Sequence, residues 1–169
     1  METGTQAVVD FAKGDWAVHP AHGVGEITQI ETRDVSGKPV AFYVLKIKES
    51  GGKVMVAVNS AGIVGLRRVM SANQAEEVFE ILKADEVAVD VQPWAKRQRV
   101  YAEMLKSGSP FEVAKVLRDM SRLRGGKDLS FGERRLFDQA RGMLMEELAL
   151  ARNMQREAIE QQIKEWTAA

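Results

Sequence analysis

Ser71-Ala72-Asn73-Gln74, followed by Val78, Ile81 and Leu82, is the stretch on which the fold of this 169-residue chain turns. Ser-x-x-Gln has the form of a capping box, in which serine and glutamine side chains satisfy orphan amides at a helix start. The apolar residues behind it recur at helical spacing. Upstream, the sequence alternates with a period of two; downstream, the period is about 3.6. The chain therefore reads as a β-rich half followed by a helical half.

The upstream half breaks into short strands. Residues 14–19 read as the first. Residues 23–33 form a long half-buried strand, with Val24, Ile27 and Ile30 alternating against polar neighbours. Residues 34–39 are a turn cluster. Residues 40–48, rich in aromatic and β-branched side chains, form a third strand. A turn at 49–52 leads to a fourth at 53–58, and 65–69 is a short fifth. Five short strands at regular spacing predict a small antiparallel barrel. Such a fold keeps an exposed edge on which a partner can pair.

The downstream half carries two further helix starts. Ser109-Pro110-Phe111-Glu112 places serine at the cap, proline first and glutamate third. Ser130-Phe131-Gly132-Glu133 is followed by Leu136, Ala140, Leu144 and Leu148, one face of a long helix. Gly108 and Gly125-Gly126 are natural stops. Helices are predicted near 72–83, 94–107, 110–124, 131–151 and 154–166, with an acidic connector at 84–92. The expected fold is α+β in two domains: an antiparallel β-barrel at 8–70 and an all-α bundle of about five helices at 71–166.

Composition excludes several classes of chemistry. At 45% hydrophobic and 28% charged, the chain is typical of a globular protein. It has no cysteine, hence no disulfide, thiolate nucleophile or Cys-based metal site. No apolar run is long enough for a membrane helix, and residues 1–7 lack the regions of a signal peptide. A cytoplasmic protein is expected. The net charge is zero but unevenly spread: 9 Lys/Arg against 13 Asp/Glu over 1–93, 11 against 5 over 94–135, and 4 against 6 over 136–169. A basic middle in a neutral chain points to a directed contact with a polyanion or to a solvated helical surface.

Pro93-Trp94-Ala95-Lys96-Arg97-Gln98-Arg99 opens that basic segment. Cations can hold phosphates while a flat ring stacks on bases or wedges between them. Trp94 also shares helical spacing with Tyr101 and Leu105, so a core role is open. The energies suit both: about 3–5 kcal/mol for a buried Trp against Ala, and roughly 1–3 kcal/mol for a base–aromatic stack. Lys96, Arg97 and Arg99 can reach phosphates. Three such cations give salt-dependent binding rather than base readout. Cations at a helix N-terminus oppose its dipole.

His19 and His22 are the only histidines. No cysteine or matching carboxylate completes a metal site around them, so no metal or other cofactor is expected. No nucleophile elbow, P-loop or dinucleotide fingerprint is present, and no enzymatic activity is expected. Gly51-Gly52-Lys53 is a hairpin turn with no helix behind it. Met55 alternates with Val54 and Val56, so one of the two sets should look outward.

The layout resembles the CarD/CdnL family of bacterial transcription regulators over nearly the full length. The resemblance is carried by His19-Pro20-Ala21-His22-Gly23-Val24-Gly25, by Ile30-Glu31-Thr32-Arg33 with Gly37, and by Val64-Gly65-Leu66-Arg67. Gly142-Met143-Leu144-Met145-Glu146-Glu147-Leu148-Ala149-Leu150-Ala151 and the Trp with its basic followers complete it. The family implies a Tudor- or SH3-like N-terminal module, similar to that of transcription–repair coupling factors, which docks on the RNA polymerase β subunit. The helical module then lies on promoter DNA at the upstream bubble edge, where a tryptophan wedges into the minor groove, tolerant of sequence. The resemblance puts the wedge on Trp94, with Lys96, Arg97 and Arg99 beside it. It puts polymerase contacts on or beside Arg33, Phe42, Met55 and Ala57. Some relatives have arginine where Met55 stands, and many have proline where Ala57 stands. The implied protein works on the nucleoid as a monomer, with a domain-swapped dimer through exposed β edges as the other arrangement. A protein–protein adaptor without DNA contact is the alternative function.

Overall fold

A computed structural model describes residues 10–85, 93–124 and 128–167. The expectations for residues 1–7, for Gly125-Gly126 and for most of the acidic connector, 86–92, lie outside the described residues. The chain divides into two compact units, Met1–Val69 and Met70–Ala169.

The first unit is built on one long hairpin. Strands β2 (Gly23–Val35) and β3 (Lys38–Ile47) pair antiparallel almost throughout, interrupted by a register shift between Ile27 and Gln29. Strands β1 (Trp16–His19), β4 (Lys53–Ala57) and β5 (Arg67–Arg68) complete a sheet of order β4-β3-β2-β1-β5. The expected barrel is therefore open: its terminal strands, β4 and β5, do not pair with each other.

The turn at its tip is tighter than the predicted 34–39 cluster. Only Ser36 and Gly37 lie outside the strands, with φ of 53° and 82°. Two successive left-handed residues match the right-handed twist of the flanking strands. The Gly37 amide donates to Asp34 Oδ1 at 2.8 Å, and Asp34 and Pro39 become a pair in the ladder.

Ile27, Tyr43, Leu45, Ile47 and Val56 form the inner face, with Ala17, Ala61, Leu66 and Phe11. Phe11 meets Tyr43 edge-on, with ring centroids 5.5 Å apart. Gly25 suits this packing: a Cβ there would lie 3.1 Å from Ile47 Cδ1 and 3.3 Å from Leu45 Cβ, so these neighbours would have to give by a few tenths of an ångström. After β4, which ends at Ala57 rather than at the predicted Val58, the chain makes a 3₁₀ turn (Val58–Ser60) and a single helical turn, α1 (Ala61–Val64). Gly65, with φ of 93°, ends it.

The second unit holds helices α2 (Ala72–Lys83), α3 (Trp94–Lys106), α4 (Pro110–Arg124), α5 (Phe131–Arg152) and α6 (Arg156–Thr167). The capping box forms as its sequence dictates: Gln74 N–H donates to Ser71 Oγ and Ser71 N–H to Gln74 Oε1. Ser130 Oγ likewise accepts from Glu133 N–H at 3.3 Å. Ala140, Leu144 and Leu148 are buried along α5, with Val78, Leu82, Leu105, Val113, Leu117 and Ile159 from the other helices.

Charged groups are also built into this unit. Arg118 and Asp119 are both fully buried and paired at 3.2 Å. Arg122 donates to the carbonyls of Leu82, Lys83 and Ala84 at the end of α2, and to that of Trp166 near the end of α6. Helix ends leave such carbonyls without intrahelical partners. The buried Glu147 carboxylate accepts from the Met70 amide at 2.8 Å.

Candidate nucleic-acid interface

Helix α3 begins without the devices that start α2 and α5. Its N-cap is Pro93, which makes no side-chain cap, and its first turn holds no acidic residue. Trp94 follows at once. Trp94 is half-buried. It packs against the helical core and lies 6.4 Å from the ring of the fully buried Tyr101, two turns along. The Arg97 guanidinium sits 5.4 Å from the Trp94 ring centroid.

Trp94 forms one wall of a surface pocket of about 180 Å³, with Met120, Leu123 and Leu129 as its other apolar walls. Arg97, Asp128 and Glu133 supply its charged lining. Lys96 and Arg99 are exposed, whereas Arg97 is half-buried. The structure thus divides the three predicted phosphate ligands: two project into solvent and one holds the ring. Burial, with the Asp119 carboxylate acting in the same direction, pushes the Tyr101 phenol above its usual value; the Arg97 and Arg118 guanidiniums pull against it.

One aromatic escaped the sequence reading. Phe131, the first residue of α5, is 87% exposed. Its neighbour Gly132 is the point where α5 approaches Trp94. Arg134 and Arg135, in the same turns, are exposed. The sequence signal was an aromatic at a capped helix start, ahead of the apolar face that begins at Leu136. Conversely, two cations counted in the basic middle are structural: Arg118 is buried against Asp119, and Arg122 caps helix ends.

The other predicted set lies in the first unit. Phe42 pairs directly with Ala57 and with Glu31, Val44 with Met55, and Arg33 with Val40. Directly paired residues share a face, and successive residues alternate. Arg33, Phe42, Met55 and Ala57 therefore lie together on the face opposite Tyr43, Leu45 and Val56. Phe42, Met55 and Ala57 are half-buried there, while Arg33 is largely exposed and pairs with Glu31 at 3.3 Å. β4, which carries Met55 and Ala57, is an edge strand.

His19 and His22 pack ring against ring at 4.7 Å. His19 Nδ1 accepts from the amides of Ala21 and His22 at 3.0 and 3.3 Å, which closes the turn. Among the described residues, no three His, Asp or Glu side chains are grouped as metal ligands. No helix among them is long and apolar enough to cross a membrane.

The described residues thus form an open five-stranded module and a helical module with an aromatic, cationic helix start. Residues 11–70 match the CarD-like/TRCF RID domain, and residues 77–164 match the CarD C-terminal domain. The chain belongs to the CarD family, a family of non-catalytic, transcription-related proteins that interact with RNA polymerase. It is 27% identical over 157 residues to the candidate transcription factor YdeB of Bacillus subtilis (strain 168), covering 91% of this chain and 97% of that one. It is 46% identical to the solved structure of CdnLNt from Myxococcus xanthus, over 37% of this chain and 89% of that one, with a TM-score of 0.32.

Proposed function

We propose that this protein docks on the RNA polymerase β subunit through the sheet face of Arg33, Phe42, Met55 and Ala57, and holds promoter DNA open with Trp94. On this reading the first unit is the polymerase-binding domain and the second the DNA-contacting domain. The observation that carries it is the half-buried state of Trp94: a ring near Tyr101 and Arg97, with Lys96 and Arg99 exposed in the same helix start. A ring fully sunk in the core could not reach DNA, and one without support would lose entropy on ordering.

Unstacking a base step costs roughly a few kcal/mol, but polymerase has already opened the step. The indole fills a gap present only in the open state, and such differential binding is what shifts a population. Tethering through the sheet module raises the local concentration of a weak DNA contact. Lys96 and Arg99 add phosphate contacts without base readout.

The test is the lifetime of a promoter open complex with purified bacterial RNA polymerase. The wild type should prolong it, and Trp94→Ala should lose that effect while still binding polymerase. An unchanged lifetime with Trp94→Ala would sink the wedge, and loss of polymerase binding by the folded variant would sink the division of labour.

A further inference from the structure

Trp94, Arg97 and Tyr101 stand at positions i, i+3 and i+7 of α3, on one face of the helix. Tyr101 is fully buried, with its ring centroid 6.4 Å from that of Trp94 and tilted by 49°. Its hydroxyl is buried too, and it completes no well-aligned hydrogen bond among the described residues. A buried hydroxyl left without a partner costs stability, and phenylalanine would fill the same space without that cost. Packing alone therefore gives no reason for a tyrosine at position 101.

The charges that act on this oxygen are Asp119 and Arg118 of α4 and Arg97 of its own helix. Arg118 and Asp119 are paired with each other at 3.2 Å. Arg97 is the one among the three that approaches the hydroxyl as a hydrogen-bond donor. A guanidinium can only donate, and a phenol oxygen can accept. An arginine near a helix start ordinarily extends into water, because holding it in one place costs rotamer freedom. Arg97 instead is half-buried and lies 5.4 Å from the Trp94 ring centroid. Attraction to an oxygen in a buried, low-dielectric setting is stronger than in water and offsets that cost.

We infer that the Tyr101 hydroxyl is a positioning group: it draws Arg97 inward, so that the guanidinium rests on Trp94 and the ring is held ready for insertion. The functional part of this rests on the reading of Trp94 as the wedge. Tyr101 itself, being buried, meets neither DNA nor polymerase. It acts through Arg97, and Arg97 through the ring.

The test uses the full chain and compares wild type, Tyr101→Phe, Arg97→Ala, the double variant and Trp94→Ala. Open-complex lifetime with RNA polymerase, polymerase binding and melting temperature are measured for each. The order of the Trp94 indole N–H in the free protein is read by ¹⁵N relaxation, its signal assigned by its loss in Trp94→Ala. Tyr101→Phe should shorten the lifetime roughly two- to fivefold, as Arg97→Ala does. The double variant should stay within about twofold of Arg97→Ala, because both changes remove one support. Tyr101→Phe should bind polymerase, melt at or above the wild-type temperature and show a looser indole. Stability and function then move apart, which a packing role does not produce. A wild-type lifetime for Tyr101→Phe, with Trp94→Ala inactive, overturns this inference alone. Additive losses in the double variant overturn it too, since Tyr101 then does not act through Arg97. So does a lowered melting temperature for Tyr101→Phe, which makes the hydroxyl a part of the core. A wild-type lifetime for Trp94→Ala overturns the wedge; the indole order in Tyr101→Phe then decides the positioning by itself, which falls if that order is unchanged.

Discussion

Arg97 lies over Trp94, with its guanidinium carbon 5.4 Å from the ring centroid and its backbone one helical turn further along α3. The cation belongs to the segment that would otherwise be assigned wholly to phosphates. Its position makes it part of the support of the ring, together with Tyr101.

Arg97→Ala should therefore act through Trp94. A cation–π contact at a partly exposed site is worth about 0.5–1 kcal/mol, so the open-complex lifetime should fall roughly two- to fivefold. That is a smaller loss than for Trp94→Ala. Measured at several salt concentrations, the fraction lost should be nearly constant, whereas Lys96→Ala and Arg99→Ala should each flatten the salt dependence itself. A pure flattening for Arg97→Ala would instead return it to the phosphate ligands.

Arg122 is expected to matter more for folding than any other cation in the basic middle except Arg118. It serves carbonyls at the ends of two helices at once, and hydrogen bonds to charged groups contribute about 1.5–3 kcal/mol. Arg122→Met keeps the aliphatic stem and should destabilise the helical unit by about 2–4 kcal/mol in urea unfolding. A change below about 0.5 kcal/mol, the range of ordinary surface substitutions, would mean that water replaces the guanidinium freely.

His19 gives the first unit a pH dependence. Its Nδ1 accepts two amides, which requires a neutral ring. Burial first, and then the neighbouring His22, hold its pKa below the ordinary 6.5. The unfolded chain therefore takes up a proton before the folded one does. Stability from this group is complete above about pH 6.5 and declines as pH falls toward the lowered folded value. Urea midpoints should drop between pH 7.5 and 5.5, and His19→Asn, which offers an acceptor that does not titrate, should shrink the drop. An equal drop in the variant would assign the effect to other groups.

How much of this was legible in the sequence depends on the range of the interaction that decides each feature. The starts of α2 and α5 were readable because a cap is settled within four residues: Ser71 with Gln74, Ser130 with Glu133. The hairpin tip was read too loosely. Pro39 and Asp34 are turn formers, yet Ser36 and Gly37 alone make the turn. Pro39 is tolerated in β3 because it lies beyond the end of β4, which pairs only from Phe42 onward, so its missing N–H deprives no second ladder. α1 gave no periodic signal, since a single turn with one buried residue, Ala61, has no face to repeat.

The candidate site was half legible for a similar reason. Spacing placed Trp94 above Tyr101 but could not say how far the ring would sink, which depends on α5 approaching through Gly132. Phe131 sits just ahead of the apolar stripe of α5, and a stripe does not announce where the core ends. Arg118 and Arg122 looked like surface charge because nothing local marks their partners: Asp119 is adjacent but buried only by tertiary packing, and the carbonyls that Arg122 meets are some forty residues away in sequence on either side.

The last turn of α6 has a consequence of its own. Trp166 meets Phe79 edge-on at 5.1 Å and lies under the Lys83 ammonium at 4.8 Å, while its carbonyl is held by Arg122. Terminal helices ordinarily fray, opening turn by turn at almost no cost. Here the first turn to loosen would strip contacts from the end of α2 as well, more than eighty residues earlier in the chain. The ends of the two helices are spliced: they open together or stay shut.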